Sequence, residues 1–423
     1  MWQKNSFIAF TFFCLTTPLF AADAVTSVDT LVATALQRNP SLAAMSSTLD
    51  ALEHATQQAG SLDDPMLMTR TAPSSWSGDS TSYMLEISQR LPWPGKRAAM
   101  RNIAEQEARM QAANVAVAQL ALTSDVKATV ADYLFAMEAL SLHTTNRQLL
   151  EELKNLVLSR YEAGGVDKQD VLLTELTWRS LFREKLQRER QLSEMRTRLN
   201  ILLNQAADTP IPPLTISPLP QQLPNVIRLR DLALLRHPEF TSHLTHISAE
   251  KETLKLAQLD RYPDVEIQAG YDRFMDDAED RAILGVSINL PLQSAKRTAQ
   301  EQQATAQVQA AQWALADKRN QLMLALRLAW DATQEAQGTL VLYEQQLLPL
   351  AKENREAALS SYRSGTGDLN KVLNAEQQVA SVELELAASK AALRRAWAAL
   401  ENTAGGASVV AEVLSTTTQE QQP

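Results

Sequence analysis

Between Arg97 and Ala163 the chain runs 67 residues without a glycine or a proline. As one helix that stretch is a rod of about 100 Å. No compact domain of ordinary size has an interior deep enough to hold it. The fold must therefore be built around long helices lying side by side, and the rest of the sequence has to supply their partners.

The rod ends in Tyr161-Glu-Ala-Gly-Gly-Val-Asp-Lys-Gln-Asp-Val-Leu172, which returns as Tyr362-Arg-Ser-Gly-Thr-Gly-Asp-Leu-Asn-Lys-Val-Leu373 at a spacing of 201 residues. A glycine cluster between two helix-like tracts predicts the tip of a helical hairpin. The duplication reaches further. Ala35-Leu-Gln-Arg-Asn-Pro40 matches Ala233-Leu-Leu-Arg-His-Pro238, and Pro65 matches Pro263, both at 198. Leu91-Pro92 matches Leu290-Pro291 at 199, and Lys96-Arg97 matches Lys296-Arg297 at 200. The chain is thus one architecture made twice. A first repeat is expected over residues 22–220 and a second over 221–405, with a loose tail at 406–423.

Each repeat predicts a strand pair, then a hairpin of helices. Strands are expected at about 64–72, 81–91, 263–273 and 282–292, and hairpins at about 97–204 and 296–402. In the second repeat Val265, Ile267, Ala269 and Tyr271 alternate with polar residues, and so do Leu284, Val286, Ile288 and Leu290. Pro210, Pro212, Pro213, Pro218, Pro220 and Pro224 form a linker that cannot be helical. A helix over about 239–261 would stack end to end on the first returning helix, and one over 41–60 would do so for the second repeat. Pro349 should kink the second rod just before it.

Residues 1–21 read as a secretory signal, with Lys4, the apolar run Phe7 to Phe13 and small residues near Ala21. The single cysteine, Cys14, lies within it. The alternation by itself also fits an ordinary half-buried hairpin; strands of about ten residues with aromatics near their ends (Trp93, Tyr262, Tyr271, Phe274), behind such a signal, add the features of an outer-membrane barrel strand. Four strands cannot close a barrel, and an open edge in hydrocarbon is prohibitive. Three chains would give twelve strands.

The net charge of −9 and the absence of a basic block argue against nucleic acid. No clustered His, Cys, Asp or Glu and no phosphate loop suggest an enzyme, a cofactor or a resident metal. His243 and His246 share a helix face without further ligands, and Met66, Met68 and Met84 read as wall-filling residues.

This twofold repeat of strand pair, rod, Tyr-x-x-Gly tip and returning Val-Leu resembles the TolC family of outer-membrane efflux proteins. The segment Ile87-Ser-Gln-Arg-Leu-Pro-Trp-Pro-Gly-Lys96 is similar to the junction in its heavy-metal branch, the CzcC-like and CusC-like proteins. The resemblance implies a mainly α fold with a membrane β part. Three chains would share a twelve-stranded barrel in the outer membrane and an α-barrel through the periplasm. It implies a homotrimer embedded in outer-membrane lipids, working with a periplasmic adaptor and an inner-membrane pump of the resistance-nodulation-division (RND) type. Energy comes from the pump, and this chain is not an enzyme.

The resemblance also assigns candidate residues. Tyr161, Gly164, Gly165, Val166, Tyr362, Gly365, Thr366 and Gly367 would receive the adaptor. Asp170, Asp368 and Lys371 would constrict the aperture, with Asp170 and Lys371 at the same repeat position. Pro92, Pro94, Gly95 and Pro291 would turn strand into rod. The cargo expected is a heavy-metal cation. A duct for drugs or for type I secretion is the alternative of the same class, and a periplasmic coiled-coil scaffold the alternative of another.

Overall fold

The computed structural model describes residues 26–72, 82–272 and 281–420. The signal segment with Cys14, the loop after residue 72 and the acidic loop Met275–Asp280 lie outside them. In chain order the elements are β1 (Thr26–Ser27), α1 (Val28–Arg38), α2 (Pro40–Ala59), β2 (Met66–Ala72), β3 (Ser82–Leu91), α3 (Lys96–Glu162) and α4 (Lys168–Leu202). The second half adds β4 (Leu214–Thr215), α5 (Val226–Arg236), α6 (Pro238–Leu259), β5 (Val265–Asp272), β6 (Arg281–Ile288), α7 (Ser294–Leu342), α8 (Leu348–Arg363), α9 (Leu369–Ala404) and α10 (Ala407–Glu420).

The rod α3 is one unbroken helix of 67 residues. Its counterpart is interrupted. A π-helical turn, Tyr343–Leu347, joins α7 to α8 directly ahead of Pro349, because proline cannot donate to the preceding turn and the ladder slips by a residue there. The repeated Arg-Asn-Pro and Arg-His-Pro segments are helix breaks of one design. Asn39 and His237 adopt the same extended backbone and cap the next helix, Asn39 accepting from the N–H groups of Ser41 and Leu42 and His237 from that of Glu239. Proline follows as the first helical residue in both.

Around the molecule α6 packs between α3 and α7, and α9 packs between α3 and the α7–α8 rod. By contrast α2 and α4 pack chiefly on α3. The upper part of the second repeat is therefore not completed by α2 within one chain, because α2 lies beside α3. Ion pairs lace the rods, among them Lys390–Glu138 (3.2 Å) and Lys127–Glu401 (2.5 Å) across α3 and α9, and Lys318–Glu239 (2.6 Å) across α6 and α7. Of these only Lys390–Glu138 is exposed on both sides, and an exposed pair is worth only about 0–1 kcal/mol. The buried apolar residues do more. They gather in three clusters, two at mid-height and one at the tips.

One expectation fails. The tail is not loose: Gly405 and Gly406 have φ of 94° and 128°, so they turn the chain rather than end its order. The helix α10 that follows buries Val409, Val410 and Val413 against Leu229, Trp397 and Leu400. Those valines fall on one face at helical spacing, which is enough to dock a short helix.

The four long strands form one antiparallel sheet in the order β2-β3-β5-β6. Register puts Leu67 beside Ile87, Ile87 beside Ala269 and Ala269 beside Leu284 on one face. The other face carries Ser88, Gln268 and Gly285 in a row, and Glu86 beside Gly270. The apolar face is open, with Leu284 87% and Val286 69% exposed in the single chain. An apolar face outward and a polar face inward is the wall of a membrane barrel. No described helix is long and apolar enough to cross a membrane.

Candidate functional site

The two tips share their local construction. Gly164 and Gly365 take left-handed backbone (φ 76° and 83°), and their N–H groups bond back to Tyr161 O (2.9 Å) and Tyr362 O (3.0 Å). In the second tip Gly367 donates to Ser361 O (2.9 Å), and a Cβ there would lie 2.7 Å from the Tyr362 nitrogen, so backbone contact demands glycine. Thr366 bonds the same carbonyl through both its N–H and its hydroxyl. Asp368 then caps α9 by accepting from Asn370 N at 2.9 Å.

The repeat-related tyrosines differ. Tyr362 is buried, while Tyr161 is 41% exposed. The cause is Arg160, whose guanidinium lies 4.6 Å over the Tyr362 ring and donates to the Tyr362 carbonyl. Ser361 stands at the position of Arg160 in the second repeat and has no such reach. Tyr362 anchors the tip cluster with Val157, Leu181, Leu369 and Val372, and Val166 packs against it.

Asp170 and Lys371 are not brought together in one chain, and Lys371 is exposed. The second-repeat charge that bears on Asp170 is Asp368. Partial burial first, then the neighbouring Asp167 and Asp368, push the Asp170 carboxyl above its usual value, against the opposing pull of Arg160.

At the other end of α3 the junction segment closes a second cluster that sequence reasoning did not foresee. Gly95 caps the rod with φ 96°, turning Lys96 inward. The Lys96 ammonium is buried and meets Asp264 (2.9 Å) and Asp260 (3.1 Å), both from the second repeat. Asp264 also accepts from Trp93 N (2.9 Å) and from Arg90 (2.9 Å). Burial alone would raise its carboxyl, but these donors outweigh that and hold it below the ordinary value. Trp93, set between Pro92 and Pro94, stacks on Tyr262 at 4.9 Å. Arg97 reaches the carbonyl of Gly60 with two donors, at 3.0 and 2.6 Å. Pro291 begins the corresponding turn of the second repeat, where Leu290 and Leu292 stand exposed. The sequence marked the turn itself, through Pro92, Pro94, Gly95 and the aromatics near the strand ends, but not the acidic partners of Lys96 and Arg90, which lie about 170 residues away.

His243 and His246 lie on α6, and no group of three potential metal ligands occurs among the described residues.

Comparisons with known proteins fit this geometry. The sequence profile of the outer membrane efflux protein family matches residues 31–205 and 229–406, one segment in each repeat. Among curated proteins no sequence is similar to the chain. Solved structures are similar in fold. The outer membrane protein VceC from Vibrio cholerae has a TM-score of 0.75 at 20% identity, covering 90% of this chain and 96% of that one. The open-state MtrE outer membrane channel of Neisseria gonorrhoeae gives 0.74 at 19%, covering 90% and 89%. CusC, described with transmembrane channel formation, gives 0.77 at 15%, covering 90% and 92%. With its duplicated halves both matched and its sheet carrying one lipid-type face, the chain belongs to the outer membrane efflux protein family, an outer-membrane channel whose rods extend into the periplasm.

Proposed function

We propose that three copies of this chain close into one conduit that serves as the exit duct of a tripartite efflux system. One observation carries this reading: each chain ends in two complementary open edges. On one side stand β2, α2 and α4, and on the other β6, α7 and α8. An edge strand in lipid leaves backbone groups unpaired at several kcal/mol each. Head-to-tail repetition of one contact satisfies both edges and closes a ring. Exposed apolar residues on both edges, such as Leu176 and Leu186 on α4 and Leu324, Leu328 and Leu350 on α7 and α8, support it.

The free end of the duct is the ring of tips, where a periplasmic adaptor linked to an RND-type pump would dock. Tyr161, Gly164, Gly165 and Val166 of the first tip and Tyr362, Gly365, Thr366 and Gly367 of the second form that surface. The exposure of Tyr161 beside its buried counterpart supports an outside partner for the first tip. A bulky residue at Gly164 meets open space but an unfavourable φ, so replacing it should abolish efflux and adaptor cross-linking while the trimer persists. Retained cross-linking and resistance would overturn the docking assignment. Across each seam, Lys371 of one chain would face Asp170 of the next, with Asp368 nearby, as a weak lock on the aperture. Unchanged closed-state conductance in Asp170→Ala and Lys371→Ala would remove it.

For cargo, heavy-metal cations are the reading supported by the Ser-Gln-Arg-Leu-Pro-Trp-Pro-Gly-Lys junction alone. The folds of VceC and MtrE match about as well as that of CusC. A deletion strain sensitised to copper, silver, zinc, cobalt or cadmium, with unchanged tolerance of dyes and detergents, is the expected result. The reverse profile would assign the duct to organic compounds.

A further inference from the structure

The junction at Lys96 joins two repeats of one chain, and the sequence repeats its central pair, Lys96 and Asp264, while Gly60 stands for Asp260, Asn289 for Arg90 and leucines for both aromatics. With Leu91-Pro92 set on Leu290-Pro291, the registers Leu67–Ile87 and Ile267–Val286 place Asp64 level with Asp264. The same alignment places Leu292 with Trp93 and Leu62 with Tyr262, and one extra residue between Pro291 and Lys296 brings Lys296 level with Lys96. The sheet thereby sets the spacing at its first strand to 200 rather than the 198 suggested by Pro65 and Pro263.

In a single chain this second set is split. Leu62 and Asp64 precede β2 at one edge of the sheet, and Leu292 and Lys296 follow β6 at the other. Asp63, Asp64 and Lys296 are exposed, and none forms an ion pair among the described residues. Leu62 and Leu292 are exposed at 40% and 83%. Arg297 is half-buried, and its guanidinium donates to Gln300 Oε1 at 3.4 Å.

We infer that the second set is an inter-chain junction, completed only when Lys296 and Arg297 of one copy meet Asp63 and Asp64 of the next. Leu292 then packs on Leu62 where the first set stacks Trp93 on Tyr262. The inference rests on the ring reading above, and it adds the contact that sets the height of one sheet against the next. Acid pair against basic pair gives charge complementarity, and the leucines supply a desolvated centre. The in-chain junction shows that this geometry is made by this backbone.

The test uses the full chain purified from outer membranes in mild detergent, with its mass measured by native mass spectrometry. Reversing the basic pair (Lys296→Asp with Arg297→Asp) or the acidic pair (Asp63→Lys with Asp64→Lys) should weaken the trimer, so that it dissociates at lower temperature and collision energy than the unaltered trimer. Reversing all four together should restore it, since each seam then regains opposite charges. A trimer insensitive to either reversal, or one not restored by the fourfold change, would overturn the contact while leaving the ring intact. A monomeric unaltered chain would defeat the ring and the contact together. Independently, Leu62→Cys combined with Leu292→Cys should give disulfide-linked dimers and trimers on oxidation, while either single variant gives none. Absence of that ladder in a trimeric protein also overturns the contact.

Discussion

The two repeats place the same residue types at the same points and give them opposite surroundings. At the tips, Tyr362 is sealed under Arg160 while Tyr161 is 41% exposed. At the junctions, Lys96 is buried between Asp260 and Asp264 while Lys296 stands in the open. In both cases the buried copy is the one whose partner lies in the same chain. A duplicated sequence makes the same local structure twice, but one chain can supply neighbours for only one seam of each kind. On the reading proposed above, the exposed copies are where another molecule would dock.

The sharpest way to break this comparison is at the junction. Asp264→Ala strips the chief partner from the buried Lys96, and such breakage costs about 3–5 kcal/mol. In the isolated chain Asp64→Ala should cost under about 0.5 kcal/mol, as an exposed change away from any packed feature. Thermal unfolding of the two variants, followed by helical circular dichroism, reads the difference. Equal losses would mean that the two junctions are equivalent after all.

Next come the tyrosines. Tyr362→Ala removes a buried aromatic from the tip cluster and should cost about 3–5 kcal/mol, whereas Tyr161→Ala should be near neutral in the isolated chain. Tyr362→Phe sharpens the point: it keeps the ring under Arg160 and in the tip cluster, so it should cost far less than the alanine. Local hydrogen exchange over residues 358–373 would report all three.

The smallest expected effect is that of pH at Asp170. Its folded value is raised, so its contribution to tip stability is complete below the ordinary carboxylate range. That contribution is lost as pH rises through the raised value. Exchange at the tip, corrected for the intrinsic rate, should therefore show more protection at acid pH than at neutral pH. Asp170→Asn should flatten that slope, and Lys371→Gln at the same repeat position should not. A slope that survives in Asp170→Asn would assign it to other groups.

Much of this architecture was legible in the sequence because it depends on short-range physics. The rod α3 follows from the want of helix breakers and the sheet from period-two alternation with polar punctuation, while ahead of Pro349, where a kink is expected, the rod carries a π-turn. The tips followed from glycines that alone take φ above zero cheaply. The tail was misread for a related reason. Gly405-Gly406 ends one helix in sequence terms, and only the valine face of α10 against Trp397 shows that another begins and docks.

What the sequence determined by itself is the duplication, the length of the rods and which face of each strand is apolar. These are set by local dihedral preference and by side-chain spacing. Only the tertiary structure decided which copy of each motif is buried. That choice depends on groups far apart in the chain, such as Arg90 and Asp264 or Arg160 and Tyr362, meeting at one place. No local preference encodes such a meeting, because it is settled by how the two halves lie against one another.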